Sequence, residues 1–118
     1  MASWIKSVSF DCVDALKLAS FWAAALGTDV DEDSTSDRAY VEAAGWGGPN
    51  MWFNRVPEPP PGVKTRLHFD LRPLDTLEAE VGRLTALGAS VQQRREGHAT
   101  IMTDQEGNVF CLELGPGD

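Results

Sequence analysis

The stretch KTRLHFDLRPLDTLEAEVGRLTALG, residues Lys64 to Gly88, decides the fold because it combines a strand, a short turn and a helix. In its first part, polar and apolar residues alternate. Since successive side chains of a strand point to opposite faces, Arg66, His68 and Asp70 are predicted to share one face. That strand face is therefore expected to meet water or a ligand, and the other face a core.

The second part of the stretch is typical of an amphipathic helix. Asp75 is predicted to cap it, and Glu78 three residues later completes a capping-box pattern. Apolar residues follow at helical spacing until Gly88, which is expected to end the helix. The unit is thus a strand followed by a helix, with the polar strand face pointing away from the helix.

The N-terminal part of the chain repeats this design. Ser7, Ser9 and Asp11 alternate with apolar residues, and Asp14 takes the place of the predicted cap Asp75. A Leu-Gly pair ends both predicted helices. So many matches in register indicate an internal duplication.

Each half of the chain is predicted to have the element order βαβββ, which defines an α+β fold class. We expect one domain of two modules, residues 1–56 and 64–118, joined by a Pro-rich linker at 57–63. The 118 residues are enough for one domain with a packed core. Because the helices cover the apolar strand faces, the sheets are expected to form a cupped, half-open β-barrel with the helices outside.

The composition excludes several classes of partner. The net charge of -8 and a pI of about 4.6 leave no basic stripe for a nucleic acid. Cys12 and Cys111 lack metal-type spacing and are too few for a disulfide framework, so a reducing, cytoplasmic location is expected. We expect no targeting signal and no membrane span, since no apolar run approaches the necessary length.

The strand faces that point away from the helices are predicted to line a small-molecule pocket, because they mix aromatic with convergent polar side chains. The predicted ligand-binding residues are Ser7, Asp11, Tyr40, Trp52, Arg66, Asp70, His98, Met102, Cys111 and Glu113. His68 lies near the middle of this face and is the candidate acid or base. Met102 is expected to share the pocket face with Thr100, whereas Ile101 between them is expected to face a helix.

Several motifs resemble one superfamily. The segments VSFDCVDALKLASFWAAALG, KTRLHFDL and DQEGNVFCLE, in that order, are similar to the vicinal oxygen chelate superfamily of glyoxalases, bleomycin resistance proteins and extradiol dioxygenases. The sequence resembles its small actinobacterial glyoxalase-like branch in particular. The resemblance implies paired βαβββ modules around a cupped sheet, and often a homodimer that completes the cup.

The resemblance also implies a divalent-metal site held by two His and one Glu. The corresponding positions here are Ser7, His68 and Cys111, so only His68 is retained. A hydroxyl is a poor metal ligand, and we therefore expect no metal cofactor. The alternative is a divalent metal held by His68 and Cys111, with His98 or Glu113 as the third ligand.

Three functions are left open. The first is a metal-free pocket for a small organic molecule, in which Arg66 would pair with a carboxylate or phenolate. The second is a divalent-metal-dependent lyase, isomerase or dioxygenase of the vicinal oxygen chelate type, which needs three protein ligands. The third is an interaction module without a ligand, suggested by the PEPPPG segment and the acidic surface.

Overall fold

The computed structural model describes residues 2–3, 5–43, 49–57, 67–95 and 99–114. The chain forms two compact units, residues 1–61 and 62–118, and the boundary falls inside the segment predicted as the linker. Within the described ranges, each unit contains one helix and one sheet. Neither of these helices has the length and apolar character needed to cross a membrane.

The first unit consists of β1 (Ser7–Cys12), α1 (Ala15–Leu26), β2 (Arg38–Val41) and β3 (Asn50–Arg55). Strand β3 lies in the middle of the sheet, parallel to β1 and antiparallel to β2. Between α1 and β2, a single bridge joins Val30 to Val41. The chain turns directly after this bridge, where Ser34 N donates to the Asp31 carbonyl. The second strand predicted for this module is therefore reduced to one bridge.

Helix α1 is bounded by the residues that the sequence predicted. The Asp14 carboxylate accepts a hydrogen bond from Lys17 N at 3.1 Å, and Gly27 ends the helix with a φ of 72°. This left-handed backbone favours glycine, which has no Cβ to clash. On the buried side of the helix, the Trp22 ring centroid lies 6.3 Å from that of Phe10 in β1. The helix therefore covers the apolar face of its sheet.

The second unit consists of β4 (Phe69–Leu71), α2 (Leu77–Ala86), β5 (Ser90–Arg95), β6 (Ala99–Thr103) and β7 (Val109–Glu113). Its strands lie in the order β4-β7-β6-β5, with β4 parallel to β7 and the other pairs antiparallel. In both units the last strand lies in the middle of the sheet. Its two neighbours there are the first strand of the unit and the strand that comes just before the last one in sequence. This shared order confirms the α+β fold class built on a duplicated plan.

Helix α2 begins with a different cap from the predicted one. Its N-cap is Thr76, whose hydroxyl accepts a hydrogen bond from Ala79 N at 3.1 Å. The Asp75 carboxylate accepts instead from Thr76 N at 2.7 Å. The prediction of Asp75 as the cap is wrong because the Thr76 hydroxyl reaches the first-turn amide from an extended backbone. Gly88 follows the helix with a φ of 119°.

The predicted faces of β6 are also wrong. Thr100 and Met102 are buried, and their antiparallel partners Leu112 and Phe110 are fully buried core residues. Ile101 instead pairs with Cys111 on the opposite, partly exposed face. The segment ATIMT could not decide between the two faces, because both alternating sets contain apolar residues. Met102 therefore lies in the core of its unit and not on the predicted ligand-binding face.

The turn between β6 and β7 sets this register and is organised by Asp104. The carboxylate, in a residue only 4% exposed, accepts hydrogen bonds from Glu106 N at 2.9 Å and Asn108 N at 3.0 Å. The Asn108 side-chain amide donates to both of its oxygens. Gly107 completes the turn with a φ of 83°. A buried carboxylate with this many donors holds the two strands in one register.

Candidate functional site

Three side chains that can bind a metal ion or exchange a proton lie together on the exposed sheet face of the second unit. Asp70 of β4 and Cys111 of β7 are direct neighbours in the parallel register. His68 precedes β4 by one residue, and its Nε2 lies 3.3 Å from Asp70 Oδ1. The ligand atoms of His68, Asp70 and Cys111 all lie within 4.8 Å of one another. Alternation along β4 and the strand register therefore create a compact imidazole, carboxylate and thiol cluster.

A second row of side chains flanks this cluster on the same face. Arg95 of β5 pairs with Ala99 of β6, which in turn pairs with Glu113 of β7. A bulge in β5 between Val91 and Gln93 shifts the pairing of β5 with β6 and sets the position of Arg95 in this row. Cys111 consequently has carboxylates on two sides and one guanidinium in its surroundings.

Burial raises the pKa of the Cys111 thiol. The negative charges of Asp70 and Glu113 raise this pKa further, and Arg95 acts weakly in the opposite direction. Asp70 also forms a hydrogen bond with the thiol, which favours its protonated form. In the metal-free protein, Cys111 is therefore a poor nucleophile near neutral pH.

Alkylation of the metal-free protein by iodoacetamide is expected to reflect this environment. The thiolate fraction grows only above the raised pKa, so the pH midpoint of the rate should exceed the about 8.5 of an ordinary thiol. Asp70→Asn should lower the midpoint because it removes a negative charge, and Arg95→Gln should raise it. Cys12 is fully buried and should not react in the folded protein. Midpoints at or below the ordinary value would contradict this description of Cys111.

The corresponding face of the first unit carries an aromatic and cationic group. Tyr40 of β2 pairs with Trp52 of β3, and their ring centroids are 4.5 Å apart. The Arg38 guanidinium carbon lies 4.4 Å from the centroid of the Trp52 ring, within cation–π range. We call Arg38, Tyr40 and Trp52 the aromatic–arginine group. It exposes flat apolar surface and a positive charge side by side.

Polar residues of β1 border the aromatic–arginine group. Ser9 pairs with Trp52, while Ser7 and Asp11 pair with Asn50 and Asn54 of β3. All of these residues lie on the sheet face that α1 does not cover, as the alternation predicted. They provide hydroxyl, carboxylate and amide groups around the aromatic surface.

Within each unit, the structure brings predicted site residues onto one face of the sheet. Ser7, Asp11, Tyr40 and Trp52 share a face in the first unit, and His68, Asp70, Cys111 and Glu113 share a face in the second. Arg66 and His98 lie outside the described residues. Sequence reasoning missed Arg38 and Arg95 as site residues. Arg38 lies two residues before Tyr40, so alternation along the strand could have placed it on the same face. Arg95 could not be placed in this way, because the bulge in β5 interrupts the alternation.

Each unit thus has a sheet covered by a helix on one face and bearing donor side chains on the other, as the resemblance to glyoxalase-like proteins implied. The glyoxalase-like domain family matches residues 7–113, so the chain belongs to that family. No curated protein matched the sequence.

Solved structures of the vicinal oxygen chelate superfamily are similar to this chain. The fosfomycin resistance protein FosX from Listeria monocytogenes has a TM-score of 0.74 at 16% identity, over 99% of this chain and 94% of that chain. A glyoxalase/bleomycin resistance protein/dioxygenase family enzyme from Burkholderia phytofirmans PsJN gives 0.71 at 18%, over 93% and 97%. A FosX variant from Listeria monocytogenes, complexed with Mn(II) and 1S,2S-dihydroxypropylphosphonic acid, gives 0.72 at 17%, over 99% and 94%. At these identities the likeness establishes the fold alone.

The donor set expected from the resemblance does not suit a hard ion such as Mn²⁺. Its three positions hold the Ser7 hydroxyl, the His68 imidazole and the Cys111 thiol. Carboxylate, carbonyl and water oxygens suit Mn²⁺, whereas thiolate sulfur selects softer ions. Only His68 and Cys111 belong to the cluster in the second unit, where Asp70 is the third donor. The chain thus departs from the inherited ligand pattern.

Proposed function

We propose that this protein binds a small, planar organic molecule with an anionic group on the exposed face of the first unit's sheet. The observation that carries the proposal is the aromatic–arginine group, in which Tyr40 and Trp52 offer ring surface beside the Arg38 charge. Aromatic rings in water favour stacking on a flat ligand, and a guanidinium pairs well with a carboxylate or phenolate. Arg38 takes the role that the sequence assigned to Arg66.

The neighbouring polar residues of β1 support a ligand of this kind. Ser7, Ser9 and Asp11 border the ring surface and offer hydrogen bonds that orient a bound molecule. None of these groups requires a metal ion. Binding at this site is therefore proposed to be independent of metal.

Calorimetric titration of EDTA-treated protein with 1-naphthoate tests this function. The neutral analogue 1-naphthalenemethanol has the same ring system and should bind less tightly, because it cannot pair with Arg38. Arg38→Gln should weaken 1-naphthoate binding by about tenfold, which corresponds to about 1.4 kcal/mol. Trp52→Ala should weaken it at least as much, since it removes both the stacking surface and the support for Arg38.

Arg55→Gln is the matched control for Arg38→Gln. Arg55 ends β3, is exposed, and forms an ion pair with Asp37 at 3.3 Å. Its replacement should leave 1-naphthoate binding unchanged. Equal effects of the two arginine substitutions, or equal affinity for the acid and the alcohol, would contradict the proposed site.

A second candidate function is a divalent-metal-dependent lyase, isomerase or dioxygenase of the vicinal oxygen chelate type. The cluster of His68, Asp70 and Cys111 favours it, because three ligand atoms on one face leave open positions for a substrate with adjacent oxygens. Catechol turnover in protein loaded with Fe²⁺, lost in His68→Ala, would support a dioxygenase. Metal addition without any turnover of adjacent-oxygen substrates would contradict it.

The module boundaries, the oligomeric state, the location and the family branch are also proposed. Residues 1–56 and 64–118 are the modules of one domain with 57–63 as the linker, and two such chains form a homodimer; both follow the family plan. One cooperative unfolding transition and a dimer mass by light scattering are the expected results. Two cysteines, too few for a disulfide framework, suit the reducing cytoplasm. The KTRLHFDL and DQEGNVFCLE motifs support the small actinobacterial branch.

A further inference from the structure

We propose that His68, Asp70 and Cys111 form a zinc site within the second unit. The imidazole, the carboxylate and the sulfur supply three protein ligands, and the fourth position is open to solvent. This inference is independent of the organic-ligand site, which lies on the sheet of the first unit. It replaces the third ligand expected from the sequence, His98 or Glu113, by Asp70.

The arrangement of the three ligand atoms is close to that of a tetrahedral site. With metal–ligand bonds of about 2.0–2.3 Å, the ligand atoms of a tetrahedral zinc site lie roughly 3.3–3.8 Å apart. The three atoms here lie within 4.8 Å of one another before any ion draws them together. The side chains of His68 and Asp70 are 38% and 53% exposed, so small rotamer changes can close the difference.

The backbone fixes the origins of these side chains. His68 and Asp70 are two residues apart on one face, and Asp70 is the direct neighbour of Cys111 across the parallel strands. The next strand places Ile101 beside Cys111 on the same face. An apolar neighbour limits water around the sulfur on that side. Two of the three ligands therefore lie in paired strands, and His68 lies one residue before β4.

The chemistry of the donors selects zinc over a hard cation. A thiolate is a soft ligand and an imidazole an intermediate one, a combination common in Zn²⁺ sites and unsuited to Mn²⁺ or Mg²⁺. When the ion binds, the Cys111 thiol releases its proton to solvent, and the sulfur forms a bond to the metal. The thiolate and the Asp70 carboxylate then balance the two positive charges of the ion. Glu113 on the same face adds to the attraction for a cation.

Titration of the intact protein with Zn²⁺ and Co²⁺ tests the proposal. Calorimetry should give one Zn²⁺ per chain, bound more tightly than Mn²⁺. Co²⁺ should produce an intense near-ultraviolet sulfur-to-metal charge-transfer band that Zn²⁺ then displaces. Cys111→Ser should abolish the band, and His68→Ala and Asp70→Asn should weaken Zn²⁺ binding by more than the about 10- to 100-fold cost of losing an outer-shell partner.

Matched controls use the other cysteine and an exposed aspartate. Cys12→Ala should keep the cobalt band, and Asp75→Asn should keep Zn²⁺ affinity, because neither residue belongs to the cluster. Since His68 and Asp70 are exposed, their variants should fold, which circular dichroism can verify. A missing cobalt band, tighter binding of Mn²⁺ than Zn²⁺, or undiminished Zn²⁺ affinity in Cys111→Ser would overturn the site. Zinc binding without catalysis would support it and contradict only the metal-enzyme function.

Discussion

Met102→Ala is expected to lower the free energy of unfolding by about 2–5 kcal/mol, the usual cost of removing a buried methionine side chain. Met102 has no exposed surface, and its neighbour across the β6–β7 ladder is the equally buried Phe110. The substitution leaves a cavity between the sheet and α2, which packs against β6 and β7. Urea denaturation followed by circular dichroism measures the change.

Ile101→Ala is the natural comparison, because residue 101 lies next in sequence on the opposite face. Its side chain is partly exposed beside Cys111, so it should cost less than half as much stability. Alternation in the sequence alone predicted that Ile101→Ala would cost more stability than Met102→Ala. A larger loss for Ile101→Ala than for Met102→Ala would therefore contradict the observed register of β6.

Asp104→Ala is expected to destabilise the protein by about 3 kcal/mol. The substitution removes the charged acceptor of several buried hydrogen-bond donors and leaves them unpaired. The backbone amides of Glu106 and Asn108 and the Asn108 side chain all donate to this carboxylate. For a chain of this size the midpoint of thermal unfolding should fall by about 10 °C. Differential scanning calorimetry measures both quantities.

Asp33→Ala removes the same charge from an exposed position and serves as the control. Exposed substitutions away from structural features usually change stability by less than about 0.5 kcal/mol. Asp104→Asn should fall between the wild type and Asp104→Ala, since an amide oxygen still accepts hydrogen bonds. Equal midpoints for Asp33→Ala and Asp104→Ala would mean that the turn does not depend on its carboxylate.

Much of the fold follows from local patterns in the sequence. Strict alternation of polar and apolar residues identified both faces of β1 and β3, and the cap Asp14 and the terminal Gly27 bounded α1. The repetition of these signals in the second half predicted that both halves share one order of helix and strands along the chain. Such features depend on neighbouring residues only, which is why they can be read without a structure.

Features that depend on tertiary register could not be predicted in the same way. The faces of β6 were ambiguous because both alternating sets, Thr100 with Met102 and Ala99 with Ile101, contain apolar residues. Thr100 and Met102 face the core because of the antiparallel pairing of β6 with β7, and the Asp104 turn sets this pairing. Likewise, Asp75 and Thr76 are both good caps in sequence, and only the backbone conformation decides between them.

The candidate site was predicted in part for the same reason. Spacing along β4 placed His68 and Asp70 on one face, but only the parallel register with β7 puts Asp70 next to Cys111. The third ligand was therefore sought on other strands. The position of Arg38 above Trp52 depends on side-chain packing across β2 and β3, which alternation does not specify.

Ligand binding at the aromatic–arginine group is tested most directly by the indole N–H resonances of the tryptophans during titration with 1-naphthoate. Trp52 lies on the exposed sheet face, whereas Trp22 lies on the buried side of α1 and provides an internal reference. We predict a saturable shift of the Trp52 resonance, which should require about tenfold more 1-naphthoate in Arg38→Gln, and an unchanged Trp22 resonance. A Trp52 resonance that stays in place throughout the titration would contradict a ligand site on this face.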